Sequence, residues 1–170
     1  RLDGQYGIVR MNNTKFWQKN VDQLFFMSKY SLYAFKKYWF YTVMADFRSQ
    51  FADGYKYSGD TLKTAISRFA SPAYIQLALG LDYKPADYFV ATLSPIAGKI
   101  TMVSDQTLAN AGEFGVEKAV LDTARNIITP GKKAKYEFGG RLTIKFKKDL
   151  TKIVSLDTYA DFFSNYMKEP

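Results

Sequence analysis

Polar and apolar residues alternate with a period of two through most of this chain. In the strictest stretch, from Ala134 to Lys147, Tyr136, Phe138, Leu142, Ile144 and Phe146 fall on even positions. Lys135, Glu137, Arg141, Thr143, Lys145 and Lys147 fall on odd ones. A helix would scatter the two sets around its circumference, whereas successive strand residues face opposite sides, so the segment is predicted to be a strand. Trp39, Tyr41, Val43, Ala45 and Phe47 alternate in the same way with Thr42, Asp46, Arg48 and Gln50. Ile75, Leu77, Leu79, Leu81 and Tyr83 alternate with Gln76, Gly80 and Asp82. Leu156, Ala160, Phe162 and Tyr166 alternate with Asp157, Asp161 and Asn165.

Looser versions occur over residues 21–35, where Leu24, Phe26, Tyr30 and Leu32 oppose Gln23, Lys29 and Ser31, and at the opening Leu2, Tyr6 and Ile8. Over 88–103 the apolar phase changes, from odd at Phe89, Ala91 and Leu93 to even at Ile96, Ile100 and Met102. A β-bulge near Pro95 accounts for the change, since it adds one residue and leaves Pro without a ladder N–H to supply. The count is about seven strands.

The connections alternate in length. Longer loops cover 11–20, 53–71 and 104–133, and tight turns fall at Lys36-Lys37, 84–87 and 148–152. Within the last long loop Val116, Val120, Leu121, Ala124, Ile127 and Ile128 recur at helical spacing before Pro130-Gly131, predicting a short amphipathic helix. It could plug a lumen, form a lid, meet a partner or simply pack over a barrel mouth. Long-short alternation is the wiring of an antiparallel up-and-down transmembrane β-barrel. The fold class expected is therefore all-β, with about seven strands of a larger barrel and a short helix in a long loop.

Aromatic residues sharpen that expectation. Tyr33, Phe35, Tyr38, Trp39, Tyr83, Tyr88 and Phe146 lie within a few residues of the short turns, as a girdle at a membrane interface would. Tyr136, Phe138 and Tyr166 suit the other rim. With apolar faces toward lipid, Asp46, Arg48, Lys135, Glu137, Arg141, Lys145, Asp157 and Asp161 would line an aqueous lumen, where water and mutual pairing satisfy them. The soluble alternative is a β-barrel that binds an apolar ligand in its interior, and it requires these charges to face outward.

Composition narrows the chemistry. The chain has 170 residues, enough for one domain, and carries neither Cys nor His. That excludes disulfides, zinc-thiolate and His-ligated metal sites, and Ser-His-Asp catalysis. Aromatic residues make up 17% of the chain and must be buried or placed at a boundary. The net charge is +8, but Lys36-Lys37, Lys132-Lys133 and Lys147-Lys148 are scattered pairs, so no nucleic-acid partner is expected. No apolar run is long enough for a transmembrane helix.

The chain starts at Arg1, and residues 1–170 read as a single barrel domain that is an internal portion of a longer chain. Asp157 and Asp161 lie ~13 Å apart along a strand, too far for a shared-proton dyad. The stretch from Asp53-Gly54 to Asp60 lacks calcium-loop spacing. Asp105, Glu113 and Glu117 form a weak candidate cation set, and Asn12-Asn13-Thr14 matches a glycosylation pattern common by chance. No catalytic constellation survives, and no cofactor or metal is expected.

Several segments resemble a known family. They are Phe47-Arg48-Ser49-Gln50-Phe51-Ala52-Asp53-Gly54-Tyr55, Ser71-Pro72-Ala73-Tyr74, Leu79-Gly80-Leu81-Asp82-Tyr83-Lys84-Pro85 and Leu93-Ser94-Pro95-Ile96-Ala97-Gly98-Lys99. Asp105-Gln106-Thr107-Leu108-Ala109, Gly112-Glu113-Phe114-Gly115-Val116 and Phe162-Phe163-Ser164-Asn165-Tyr166 continue the likeness. The ordered set resembles an uncharacterised (domain-of-unknown-function) family of outer-membrane β-barrel proteins of the Bacteroidetes group. The resemblance implies a location in the bacterial outer membrane and a barrel architecture, and it carries over no catalytic residue. Its members are longer at both ends. The expected role is structural, accessory or pore-forming, without enzymatic activity. Outer-membrane lipid is the expected partner, with other outer-membrane proteins reached through loops 53–71 and 104–133. If the barrel conducts, Arg48, Lys135, Arg141 and Lys145 would bias it toward anions.

Overall fold

A computed structural model describes residues 1–10, 17–58 and 62–167, with side chains for all of these except 57, 58, 62 and 63. Asn12-Asn13-Thr14, Asp60 and residues 168–170 lie outside the described residues. The strands are β1 (Leu2–Val9), β2 (Gln18–Tyr33), β3 (Trp39–Ser49), β4 (Gly54–Ser58), β5 (Leu62–Ser67), β6 (Ala73–Ala86), β7 (Phe89–Met102), β8 (Val120–Leu121), β9 (Ile127–Thr129), β10 (Ala134–Asp149) and β11 (Ser155–Asn165). One short helix, α1 (Gln106–Ala111), follows β7.

Seven strands form one sheet in the order β1-β2-β3-β6-β7-β10-β11, a meander in which each strand pairs with the next long strand in the chain. β1 and β2 are antiparallel, as are β10 and β11. The all-β, antiparallel, seven-stranded expectation is met. The sheet is open among the described residues, with β1 and β11 at its edges.

The chain divides into two compact units. The first comprises Arg1–Met27, Asp46–Ile75 and Ile100–Tyr136, and the second Ser28–Ala45, Gln76–Lys99 and Glu137–Pro170. All the long connections belong to the first unit and all three short turns to the second. Two of the long loops carry structure of their own. Loop 53–71 holds the β4–β5 hairpin, where the expectation was only a loop. Its strands are written in short runs such as Tyr55-Lys56-Tyr57, too brief to register as a strand pair by periodicity alone.

The helix predicted over residues 116–128 is not there. Val120–Leu121 and Ile127–Thr129 pair instead as the β8–β9 hairpin. The turn between them is built by Asp122, whose carboxylate accepts from the Asn126 amide at 2.7 Å and its side chain at 3.0 Å. Arg125 adopts φ +66°, a left-handed conformation that no helix interior tolerates.

The actual helix is α1, earlier in the same loop. Asp105 caps it by accepting from the Leu108 amide at 3.0 Å, and Gly112 at φ +75° ends it. Leu108 and Ala109 pack with Val103 and Val116 into a small buried cluster, with Phe114 against it. The hydrogen bond from Leu108, together with the Arg68 guanidinium 2.8 Å away, holds the Asp105 carboxyl below its ordinary range. Because the folded pKa is depressed, this stabilisation is complete above the unfolded pKa of about 4 and lost as pH falls through the folded value. Asp105→Ala is expected to cost α1 about 1 kcal/mol. Hydrogen exchange of amides 106–111 should reveal it, with protection in the wild type falling progressively as pH drops through the depressed folded value.

Candidate functional site

The feature that stands out is which side of the sheet is covered. On β3 Thr42, Met44, Asp46 and the terminal Ser49 are buried, while Tyr41 and Val43 are 54% and 49% exposed. On β6 Ala78 and Asp82 are buried and Leu77 and Leu79 exposed. On β7 Thr92 and Ser94 are buried and Leu93 exposed. Beyond Pro95 and Ile96, which are both exposed, Ala97 and Thr101 are the buried residues, so the phase shifts by one where the pattern placed it. On β10 Arg141 and Thr143 are buried, and Tyr136 and Phe138 are exposed. Apart from Met44 the buried residues on these strands are polar or small, and the exposed ones are mostly aliphatic and aromatic. Ordinary water-soluble sheets do the reverse.

The polar face is internally satisfied. In the second unit, Asp82 on β6 takes the Lys29 ammonium at 2.8 Å and the Thr92 hydroxyl at 2.6 Å. Lys29 also donates to Thr92 Oγ1 at 2.9 Å. Lys29 stands on β2 and reaches across β3, a span of about 10 Å at ordinary strand spacing. The short Thr42 on β3, bonded to Ser31 at 3.0 Å, leaves that route open. Arg141 on β10 makes two bonds to Asp161 on β11, Nε at 2.9 Å and Nη2 at 2.8 Å, the geometry that suits a guanidinium best. Lys99 pairs with Glu137 at 3.2 Å and lies 5.9 Å from the Phe163 ring centroid.

In the first unit, Lys19 donates to Asp22, Gln50 and the Ala52 carbonyl. Asp22 accepts the Phe51 and Ala52 amides at 2.8 Å each. This network ties the chain leaving β3 onto β2. No buried side-chain nitrogen or oxygen among the described residues lacks a hydrogen-bond partner.

The residues expected to line a lumen are thus found in several settings. Asp46 and Arg141 are buried, and Lys135 and Glu137 half-buried. Arg48 is exposed and lies over the Phe25 ring at 5.3 Å. Lys145 is exposed. Asp157 faces Lys147 at 3.7 Å, both well solvated, and Asp161 is engaged by Arg141. Lys29, Asp82 and Thr92 form a closed three-membered cluster. The alternation had put Lys29 and Asp82 on polar faces, but that they meet depends on the strand order. The weak acidic set does not converge: Asp105 caps α1, and Glu117 pairs with Lys132 at 2.8 Å. Among the described residues no three carboxylates come together to hold a metal ion.

Aromatic rings crowd the short-turn end. Trp39 meets Tyr83 at 4.9 Å, and Tyr88 meets Phe146 edge-on at 5.7 Å. Tyr33 packs on Phe40 at 4.9 Å, and Phe35 stacks on Trp39 at 6.2 Å. Of the seven aromatics expected beside the short turns, all but Tyr38 take part in these ring contacts, and Tyr38 lies under the Lys37 ammonium instead. Phe138 and Tyr166 pair at 6.0 Å elsewhere in the same unit.

One glycine is required by close packing. A Cβ on Gly80 would meet the Leu93 carbonyl oxygen and lie 2.6 Å from the Ser94 Cα, so only Gly lets β6 approach β7 there. An apolar hollow of about 430 Å³ lies on the exposed face, bordered by Tyr30, Tyr41, Leu79 and Leu93.

No helix among the described residues is long and apolar enough to cross a membrane, which leaves strand-based crossing open. No curated protein and no solved structure matches the chain. Residues 1–55 match a family described as a protein of unknown function, DUF3078, so the part of the chain from β1 through β3 is similar to an uncharacterised domain family.

Proposed function

We propose that this chain is part of a transmembrane β-barrel of the bacterial outer membrane, with a structural or accessory role and no enzymatic activity. The observation that carries the reading is the inverted sheet: paired ions and hydroxyls covered, Leu, Ile, Val and aromatic side chains uncovered. Each fully buried aliphatic or aromatic side chain is worth about 1.5–3 kcal/mol when removed from water, so an exposed face of this composition favours hydrocarbon. Strands β6 and β7, 14 residues each, exceed the about 9–11 residues a tilted strand needs to cross.

The open edges at β1 and β11 would be closed by further strands or by a partner, since lipid cannot satisfy an unpaired backbone. The carboxylates beside Lys29, Arg141 and Lys99 offset the anion-attracting charge of the polar face. That pairing favours a structural or accessory role over an anion-selective pore. Loops 53–71 and 104–133, with exposed Ile66 and Phe69 in one and Val120, Leu121, Ile127 and Ile128 in the other, are the proposed contacts to other outer-membrane proteins.

Fractionation of the full-length protein tests the reading. It should sediment with outer membranes, resist a carbonate wash and need detergent to stay in solution. A protein that remains monomeric in buffer without detergent would overturn it.

A further inference from the structure

The three short turns share a chemistry that the proposed membrane reading does not itself require. Each carries lysine: Lys36 and Lys37 in the first, Lys84 at the second, and Lys147, Lys148 and Lys152 at the third. The turns are neighbours, joined backbone to backbone. The Lys84 amide donates to the Tyr38 carbonyl at 2.8 Å, and the Lys147 amide donates to the Tyr88 carbonyl at 2.8 Å. Six lysines are therefore carried on three adjoining turns of the second unit, where the acidic residues are Asp87, Asp149 and Asp157. Among the described residues only Lys147 of the six has a carboxylate partner, at 3.7 Å and well solvated. Lys37 sits 5.1 Å from the Tyr38 ring centroid and Lys148 4.5 Å from that of Tyr88, so these two ammonium groups lie against aromatic rings.

We propose that this basic, ring-lined end is a binding surface for the phosphodiester headgroups of anionic phospholipids in the adjoining leaflet. The inference rests on the membrane reading, which puts the aromatic rings at headgroup depth. Ammonium groups at that depth meet lipid phosphates, and lysines near a membrane surface each attract anionic lipid measurably. A neutral or acidic turn set would satisfy the barrel wiring equally well, so the lysines are the specific signal.

The test is refolding of the full-length protein into phosphatidylcholine vesicles with and without about 20 mol % phosphatidylglycerol, followed by urea titration. Anionic lipid should shift the folding equilibrium toward the folded state by about tenfold or more. The quadruple variant Lys36→Gln, Lys37→Gln, Lys147→Gln, Lys148→Gln should lose most of that shift while still folding in phosphatidylcholine alone. Lys118→Gln, Lys132→Gln, Lys133→Gln, on the long loop, should keep it. Equal folding in both lipids, or an equal loss from the loop variant, overturns the headgroup surface and leaves the barrel standing. Failure to enter either vesicle, with solubility in buffer, ends both.

Discussion

Arginine in place of Leu79 is expected to cost the folded, bilayer-inserted protein about 2–4 kcal/mol, a thirty- to thousandfold shift in the folding equilibrium. Leu79 is 48% exposed, lies midway along β6 and borders the apolar hollow beside Gly80. In a membrane it faces hydrocarbon near the midplane, where a guanidinium either gives up its hydration or distorts the bilayer to keep it. In water the same substitution swaps one exposed side chain for a better hydrated one, and the effect falls within about 0.5 kcal/mol. Thr123→Arg, on the exposed turn between β8 and β9, serves as control and should be silent in either setting. Urea titration in phosphatidylcholine vesicles, followed by tryptophan fluorescence, reads both variants. A neutral Leu79→Arg would mean that the exposed face meets water, and the barrel reading would fail with it.

The exposed face was legible early because strand periodicity is a local property. Leu77, Leu79, Leu81 and Asp82 show their sides within a few residues, and even the phase shift at Pro95–Ile96 is written in adjacent positions. Which side is covered is not a local property: it follows from how many charges share the other face, and the burial of Asp46, Asp82 and Arg141 ties those charges to the covered side. Long loops were harder to read. Val116 to Ile128 fits helical spacing as well as it fits two short strands, and the discriminating signal was the Asp122-to-Asn126 turn in its middle. The α1 start at Asp105-Gln106-Thr107-Leu108 carried an ordinary capping residue, yet six helical residues are too few to show a period. Pairings such as Lys29 with Asp82 need the strand order and cannot be seen along one strand.

That pairing gives the second large effect. Asp82→Ala is expected to destabilise the protein by about 3 kcal/mol, because it leaves the Lys29 ammonium and the Thr92 hydroxyl without their acceptor on a largely covered face. Lys29 retains a route to relief, since its side chain is 28% exposed and can turn toward water, which keeps the cost below that of a sealed pair. Replacing both ends should be milder than replacing one. Lys29→Met with Asp82→Leu removes both charges together, and the double variant is expected to recover at least half of the single-variant loss. The coupling between the two sites, measured by a double-mutant cycle in urea, should reach about 1–2 kcal/mol. Additive single and double variants would mean that the ions are solvated separately. The polar face would then be an open, wet surface, and the case for a structural barrel over an anion pore would lose its main support.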